Sequence, residues 1–304
     1  MEFAPIQSRR TWLILTALFL YSCSPTAILK RRIDPFLNNL TYVTMSEKDP
    51  ELVAASFPTN LKIIDALIET HPDNTDLLEL GCSAYTMYAY GFVMEEADRT
   101  ILNDYQAGRD QYQRAGILFE RAAAYGSHAL EIKYPGFSAW LSGDQIILLH
   151  FNKSDVSLLY WTAAALGGEI SSSQGDPKMV IRIPEVVRLM EAALELNPGW
   201  NNGSLYSAMI SLSLSRPDAG DRGEALAREY FQKALAASEG KDVAVFVTMA
   251  EKVSVKNQDR EEFHAFLEKA LSFDVDTNPG NRLSNVIAQR RAQWLLTREE
   301  ELFY

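Results

Sequence analysis

The chain has 304 residues, 47% of them apolar, a formal net charge of −11 and two cysteines. That apolar content is enough for a substantial core in one elongated or two compact domains. The acidic balance, with no basic stripe set against it, argues against nucleic acid as a partner, and two cysteines are too few for a disulfide framework.

In chain order, residues 1–22 stand apart from the fold. Arg9-Arg10 precedes an apolar run, Thr11 to Leu20, which ends at Leu20-Tyr21-Ser22-Cys23. A charged start, a short apolar stretch and a small residue before a cysteine resemble a bacterial lipoprotein signal peptide. The run is too short to cross ~30 Å of hydrocarbon as a helix. On that resemblance Cys23 becomes the lipidated N-terminus, and acyl chains hold the body, residues 23–304, at a membrane surface. Cys82 then stands alone in Leu80-Gly81-Cys82-Ser83-Ala84, where a buried structural thiol is expected.

From Thr26 to Asn60 a helix and a short loop lead to Asp49-Pro50, an N-cap and first-turn pair. Pro58 is then expected to end one helix and start the next. Ile64–Ile68 reads as one more helix of a pair. The stretch Leu77–Asp104 is rich in aromatics, and Tyr85, Tyr88 and Phe92 share a helical face. That face suits a packed core or the wall of a ligand cleft.

A three-point face then recurs. Ala115, Phe119 and Ala122 stand at i, i+4 and i+7, and the pattern returns as Val186/Met190/Ala193, Ala227/Phe231/Ala234 and Phe263/Leu267/Ala270. The spacings of 71, 41 and 36 residues describe degenerate repeats with insertions. Tyr134-Pro135-Gly136 makes a turn before Trp140, and a second aromatic cluster holds Tyr160 and Trp161. Gly167-Gly168 is expected to end that helix. Polar turns follow at Ser171–Pro177, Pro198–Gly203, Arg216–Gly220 and Lys256–Asp259, with an apolar helix at Val243–Val253. A last helix, about Leu283 to Phe303, is expected to close the end. The predicted fold is all-α: a tetratricopeptide-like α-solenoid of degenerate helix-turn-helix repeats with extra helices.

Little of the sequence points to chemistry. His71, His128, His150 and His264 are scattered without metal-ligand spacing, and no phosphate-binding loop or nucleophile elbow is present. Asp274–Gly280 begins like a calcium loop, but Pro279 stands where glycine is needed and Asn285 cannot supply a bidentate carboxylate. No catalytic residue, metal or cofactor is expected.

Several stretches together resemble a known family. Phe57-Pro58-Thr59-Asn60-Leu61-Lys62, Tyr90-Gly91-Phe92 with Glu96-Ala97-Asp98, Leu159-Tyr160-Trp161, Arg282-Leu283-Ser284-Asn285 and the run Gln289–Leu296 are similar to the T component of tripartite ATP-independent periplasmic (TRAP) transporters. The resemblance implies a periplasmic, lipid-anchored accessory subunit that works with a solute-binding P component and an ion-driven permease, without catalytic residues. On this reading the chain docks the P component and binds or passes on a small hydrophobic or organic-acid ligand. The candidate cleft residues are Tyr85, Tyr88, Phe92, Trp140, Tyr160 and Trp161, and a homo-oligomer is expected. The competing expectation is a periplasmic scaffold that binds only proteins.

Overall fold

Short polar side chains set the helix starts. Asp49 accepts from the Leu52 amide at 3.0 Å, Asp104 from Ala107 at 3.0 Å and Asp259 from Glu262 at 2.9 Å, each satisfying a first-turn donor that the helix itself leaves open. The computed structural model describes residues 39–304 except Gln145; the expected signal peptide at 1–22 and Cys23 lie outside the described residues.

Among the described residues every regular element is a helix. In order the α-helices longer than four residues are α1 (39–45), α2 (Pro50–Thr70), α3, α4 (Tyr105–Lys133), α5 (Phe137–Ser142), α6 (Val156–Ser172), α7 (Ile183–Leu196), α8 (Ser204–Ser215), α9 (Gly223–Ser238), α10, α11 (Arg260–Ser272) and α12 (Arg282–Thr297). Two of these are interrupted by π turns. Helix α3 runs Thr75–Tyr88, widens over Ala89–Met94 and finishes as Glu95–Thr100; α10 runs Ala244–Met249, widens over Ala250–Ser254 and finishes as Val255–Asn257.

Two expected breaks are absent. Pro58 lies inside the unbroken α2. Its ring is on the exposed face, away from the core. The opposite face buries Val53, Phe57, Leu61, Ile64 and Ile68. At about 1.5–3 kcal/mol per buried side chain, that face outweighs the ~3 kcal/mol cost of an internal proline. Gly167-Gly168 does not end α6, which continues to Ser172. Gly168 instead serves packing: a Cβ there would fall 2.3 Å from the Phe119 ring of α4.

The three-point faces are all buried. Ala115, Phe119, Ala122, Phe263, Leu267 and Ala270 are at 0% exposure, and Val186/Met190/Ala193 and Ala227/Phe231/Ala234 are close to it. Neighbouring helices pair along the chain: α4 packs on both α3 and α6, α6 on α7, α8 on α9, and α10 on α11. Helix α12 then packs on α10 and α11 and also reaches back to α2.

The seam between the first and last helices is largely ionic. Arg282 donates to the Ser46 carbonyl at 2.8 Å, Lys48 pairs with Asp276 at 2.6 Å, and Arg290 grips both oxygens of Glu51. At its centre Arg291, only 15% exposed, meets Glu95 at 2.8 Å, Asp98 at 2.7 Å and Glu251 at 2.6 Å. Glu95 follows the π turn of α3 and Glu251 lies within that of α10. Burial disfavours the charged guanidinium, but the hydrogen bonds and charge of Glu251, then Glu95 and Asp98, outweigh it and raise its pKa.

The residues that began like a calcium loop are used in this seam. Asp274 caps the Asp276 amide, and the Asp276 carboxylate is taken by Lys48 and Arg282. Asn285, 1% exposed, accepts from the Val243 amide at 3.1 Å and donates to the Lys241 carbonyl at 3.1 Å, tying α12 to the start of α10.

Candidate functional site

A cavity of about 570 Å³ lies where the helices converge. Its size is that of a small-molecule site. On α6, Tyr160, Ala164, Gly167 and Ser171 follow one helical face, and the small residues in the middle leave the space open. A Cβ at Gly167 would make only ordinary contacts, 3.8 Å from the Tyr90 hydroxyl and from Val186. Helix α3 contributes Met87, Tyr90, Gly91 and Phe92, three of them within its π turn. The wider turn lets consecutive residues face the same space. Helices α7, α8 and α12 complete the wall with Met190, Leu212 and Ile287 among others.

None of the described residues that line it is Asp, Glu, Lys, Arg or His. The polar side-chain groups are hydroxyls and the indole N–H of Trp161. Burial raises the Tyr90 phenol well above its ordinary value, with a smaller contribution from Tyr160. Burial, aided by the negative charge of Asp242, pushes the Tyr160 phenol up to about 12. Both are therefore neutral hydrogen-bond donors at any physiological pH. The 38% exposure of Tyr90 is to the cavity, since its ring lines that space and packs edge-on to Phe119 at 4.6 Å.

A second compartment of about 520 Å³ adjoins the first across Gly91, Phe92 and Ile287. It is charged, with Glu51, Glu95, Glu96, Arg99 and Arg290 around Trp294. The guanidiniums of Arg99, Arg291 and Arg298 lie 5.1, 5.2 and 4.8 Å from the Trp294 ring centre.

Of the six aromatic candidates, Phe92, Tyr160 and Trp161 line the apolar cavity, while Tyr85, Tyr88 and Trp140 do not border it. Tyr85 is 1% exposed and donates to Asp65 at 2.7 Å, in a network with Arg121 and Tyr125. Tyr88 stacks on Phe57 at 5.5 Å and accepts from Arg114 at 3.2 Å. Trp140 packs between Phe137 and Phe151, with Arg188 over its ring. Sequence reasoning passed over Tyr90, which sits two residues from Tyr88 and off its face in a regular helix. It stands three residues after Met87 and four after Thr86, on the opposite side of the helix from Tyr88, and that side is the one that faces the cavity.

Cys82 is at 0% exposure, against Gly126 and Thr162, and burial pushes its thiol up to about 12. The thiolate is the reactive form, so the Cys82 peptide should stay unlabelled by iodoacetamide in the native protein and become labelled on denaturation. Rapid native labelling in a peptide-mass assay would contradict the packing described.

Residues 46–303 match the family described as TRAP transporter T-component. A protein of Treponema pallidum (strain Nichols), itself described only as uncharacterized, is 27% identical over 270 residues, covering 87% of this chain and 84% of that protein. Among the described residues no helix is long and apolar enough to cross a membrane. With the match running from the end of α1 to the last helix, this chain belongs to the T-component family of TRAP transporters.

Proposed function

We propose that this T component takes up a small apolar molecule in the cavity beside Tyr90 and Tyr160, and docks the solute-binding P component of its transporter. Lipid chains on Cys23 would keep it at the periplasmic face of a membrane. The observation that carries the ligand part is the charge-free lining of the cavity. A carboxylate enclosed there would have no cation to meet and would lose several kcal/mol of hydration without return. A neutral apolar body loses nothing on entry, and the two phenols can each donate one hydrogen bond to an acceptor on it. An apolar or amphipathic solute therefore fits better than a small polar organic acid.

Native mass spectrometry of protein purified without denaturation tests this directly, and the expected result is a reproducibly retained small molecule. Ala164→Trp places an indole in the cavity from a half-buried position on α6. It should reduce affinity for an apolar fluorophore at least tenfold while leaving the helical circular dichroism intact. If the wild type and Ala164→Trp bind the fluorophore alike, the cavity is not the site. If neither retains any ligand and the P component is still captured, the chain is a protein-binding scaffold.

A further inference from the structure

The link between α5 and α6 is built unlike the rest of the chain. From Ile146 to Asn152 exposure alternates strictly: Ile146, Leu148, His150 and Asn152 face out, while Ile147, Leu149 and Phe151 are half-buried. That two-residue period belongs to a β-strand lying on a surface, not to a helix or a casual loop. The inner side chains have a platform. Ile147 lies over Gly136, Leu149 packs on the main core, and Phe151 meets Tyr134 at 4.8 Å and Trp140 at 5.0 Å, both edge-on. The far end is pinned, since the Asn152 amide donates to Asp155 at 2.8 Å, and Asn152 has extended backbone angles of −107° and 162°.

Two features of this segment lack a partner among the described residues. The outward apolar side chains are among the most exposed, Ile146 at 87% and Leu148 at 80%. And none of the backbone amides or carbonyls of 147–151 makes a hydrogen bond to another described residue. A held, strand-like segment with open backbone donors and acceptors is a template for one more strand. The open backbone is what selects the occupant. An apolar helix or an acyl chain would cover Ile146 and Leu148 but leave the peptide groups unpaired. A second copy of this chain offers no strand of its own among the described residues other than this same segment, and self-pairing is one outcome of the test below.

We infer that 146–151 is the docking edge for a β-strand of another protein of the transporter, the solute-binding component, which adds to this segment by backbone hydrogen bonds with Ile146 and Leu148 as its side-chain contacts. This rests on the docking half of the function proposed above. It also gives Trp140 a role as part of the platform that holds the segment in place.

Hydrogen–deuterium exchange of the full chain, alone and mixed with the purified solute-binding component of the same transporter, tests it. Amides within 147–151 should exchange fast in the free protein and at least tenfold more slowly in the complex. Ile146→Lys with Leu148→Lys should weaken binding at least tenfold, whereas Ile63→Lys, at another exposed apolar position on α2, should leave it unchanged. A complex that forms with no protection at 147–151 overturns the inference and leaves the docking function standing. Failure to form any complex overturns both. Protection of the free protein that grows with its own concentration means self-pairing. Protection on phosphatidylcholine–phosphatidylglycerol vesicles without the partner means a membrane contact. Either result overturns the inference.

Discussion

Replacing Arg291 with methionine is expected to destabilise the protein by about 3–5 kcal/mol, the cost of leaving buried charges without their partner. At this chain size that lowers the midpoint of thermal unfolding by roughly 10 °C. Three carboxylates, Glu95, Asp98 and Glu251, converge on this guanidinium and would face one another once it is gone. The loss should depend on pH in a defined sense. In the wild type, burial raises Glu251 but the hydrogen bonds and charge of Arg291 win, so its folded pKa lies below its unfolded one. That contribution is present above the unfolded carboxylate range and is lost as pH falls through the folded value. Burial already holds Glu95 above its ordinary value despite Arg291, and without Arg291 the sign for Glu251 reverses as well, because a buried carboxylate lacking a counter-charge takes a folded pKa above its unfolded one. The difference between wild type and variant should therefore be largest near neutral pH and shrink towards pH ~4, where the carboxyl groups protonate. Adding Glu95→Gln and Glu251→Gln to the variant should restore part of the midpoint at neutral pH. A midpoint unchanged by Arg291→Met would mean that the seam is not closed in solution.

The second large effect is expected where α4 crosses α6. Phe119→Ala removes a ring at 0% exposure and should cost about 3–5 kcal/mol. Gly168→Ala pushes a methyl group to within 2.3–2.6 Å of three atoms of that ring, which is enclosed and has nowhere to retreat. It should cost about 1–3 kcal/mol. The two sites share one volume, so their effects should not add. The double variant is expected to be more stable than the sum of the singles implies, by about 0.5–3 kcal/mol, in denaturant titrations read by circular dichroism. Simple additivity would show that the ring and the glycine do not oppose each other.

These sites also mark how far the sequence could be read. The helix faces built on Ala115/Phe119/Ala122 and its counterparts were legible because burial at i, i+4 and i+7 leaves a repeated trace in residue size. The helix cap at Asp49 was legible because few side chains can satisfy an open amide there. Pro58 and Gly168 were misleading for a common reason. Each carries a local signal for a break, and in each case packing with residues far along the chain prevails. The ionic seam was invisible, since nothing at Arg291 announces a partner at Glu95, nearly two hundred residues earlier. Around the cavity, Tyr85 and Tyr160 look alike in sequence. What separates them is Asp65 and Arg121, which engage the hydroxyl of the first, while no described residue hydrogen-bonds that of the second.

The contact between the first helices and the last has a consequence for how such a protein can change over time. An open stack of helix pairs can lengthen by duplicating a unit at either tip, because each unit needs only its neighbour. Here an added or deleted pair would carry Arg290 and Arg291 away from Glu51 and Glu95 and would leave the central cavity without one wall. The contacts at both ends thereby tie the length of chain between α2 and α12 to the closure of the seam.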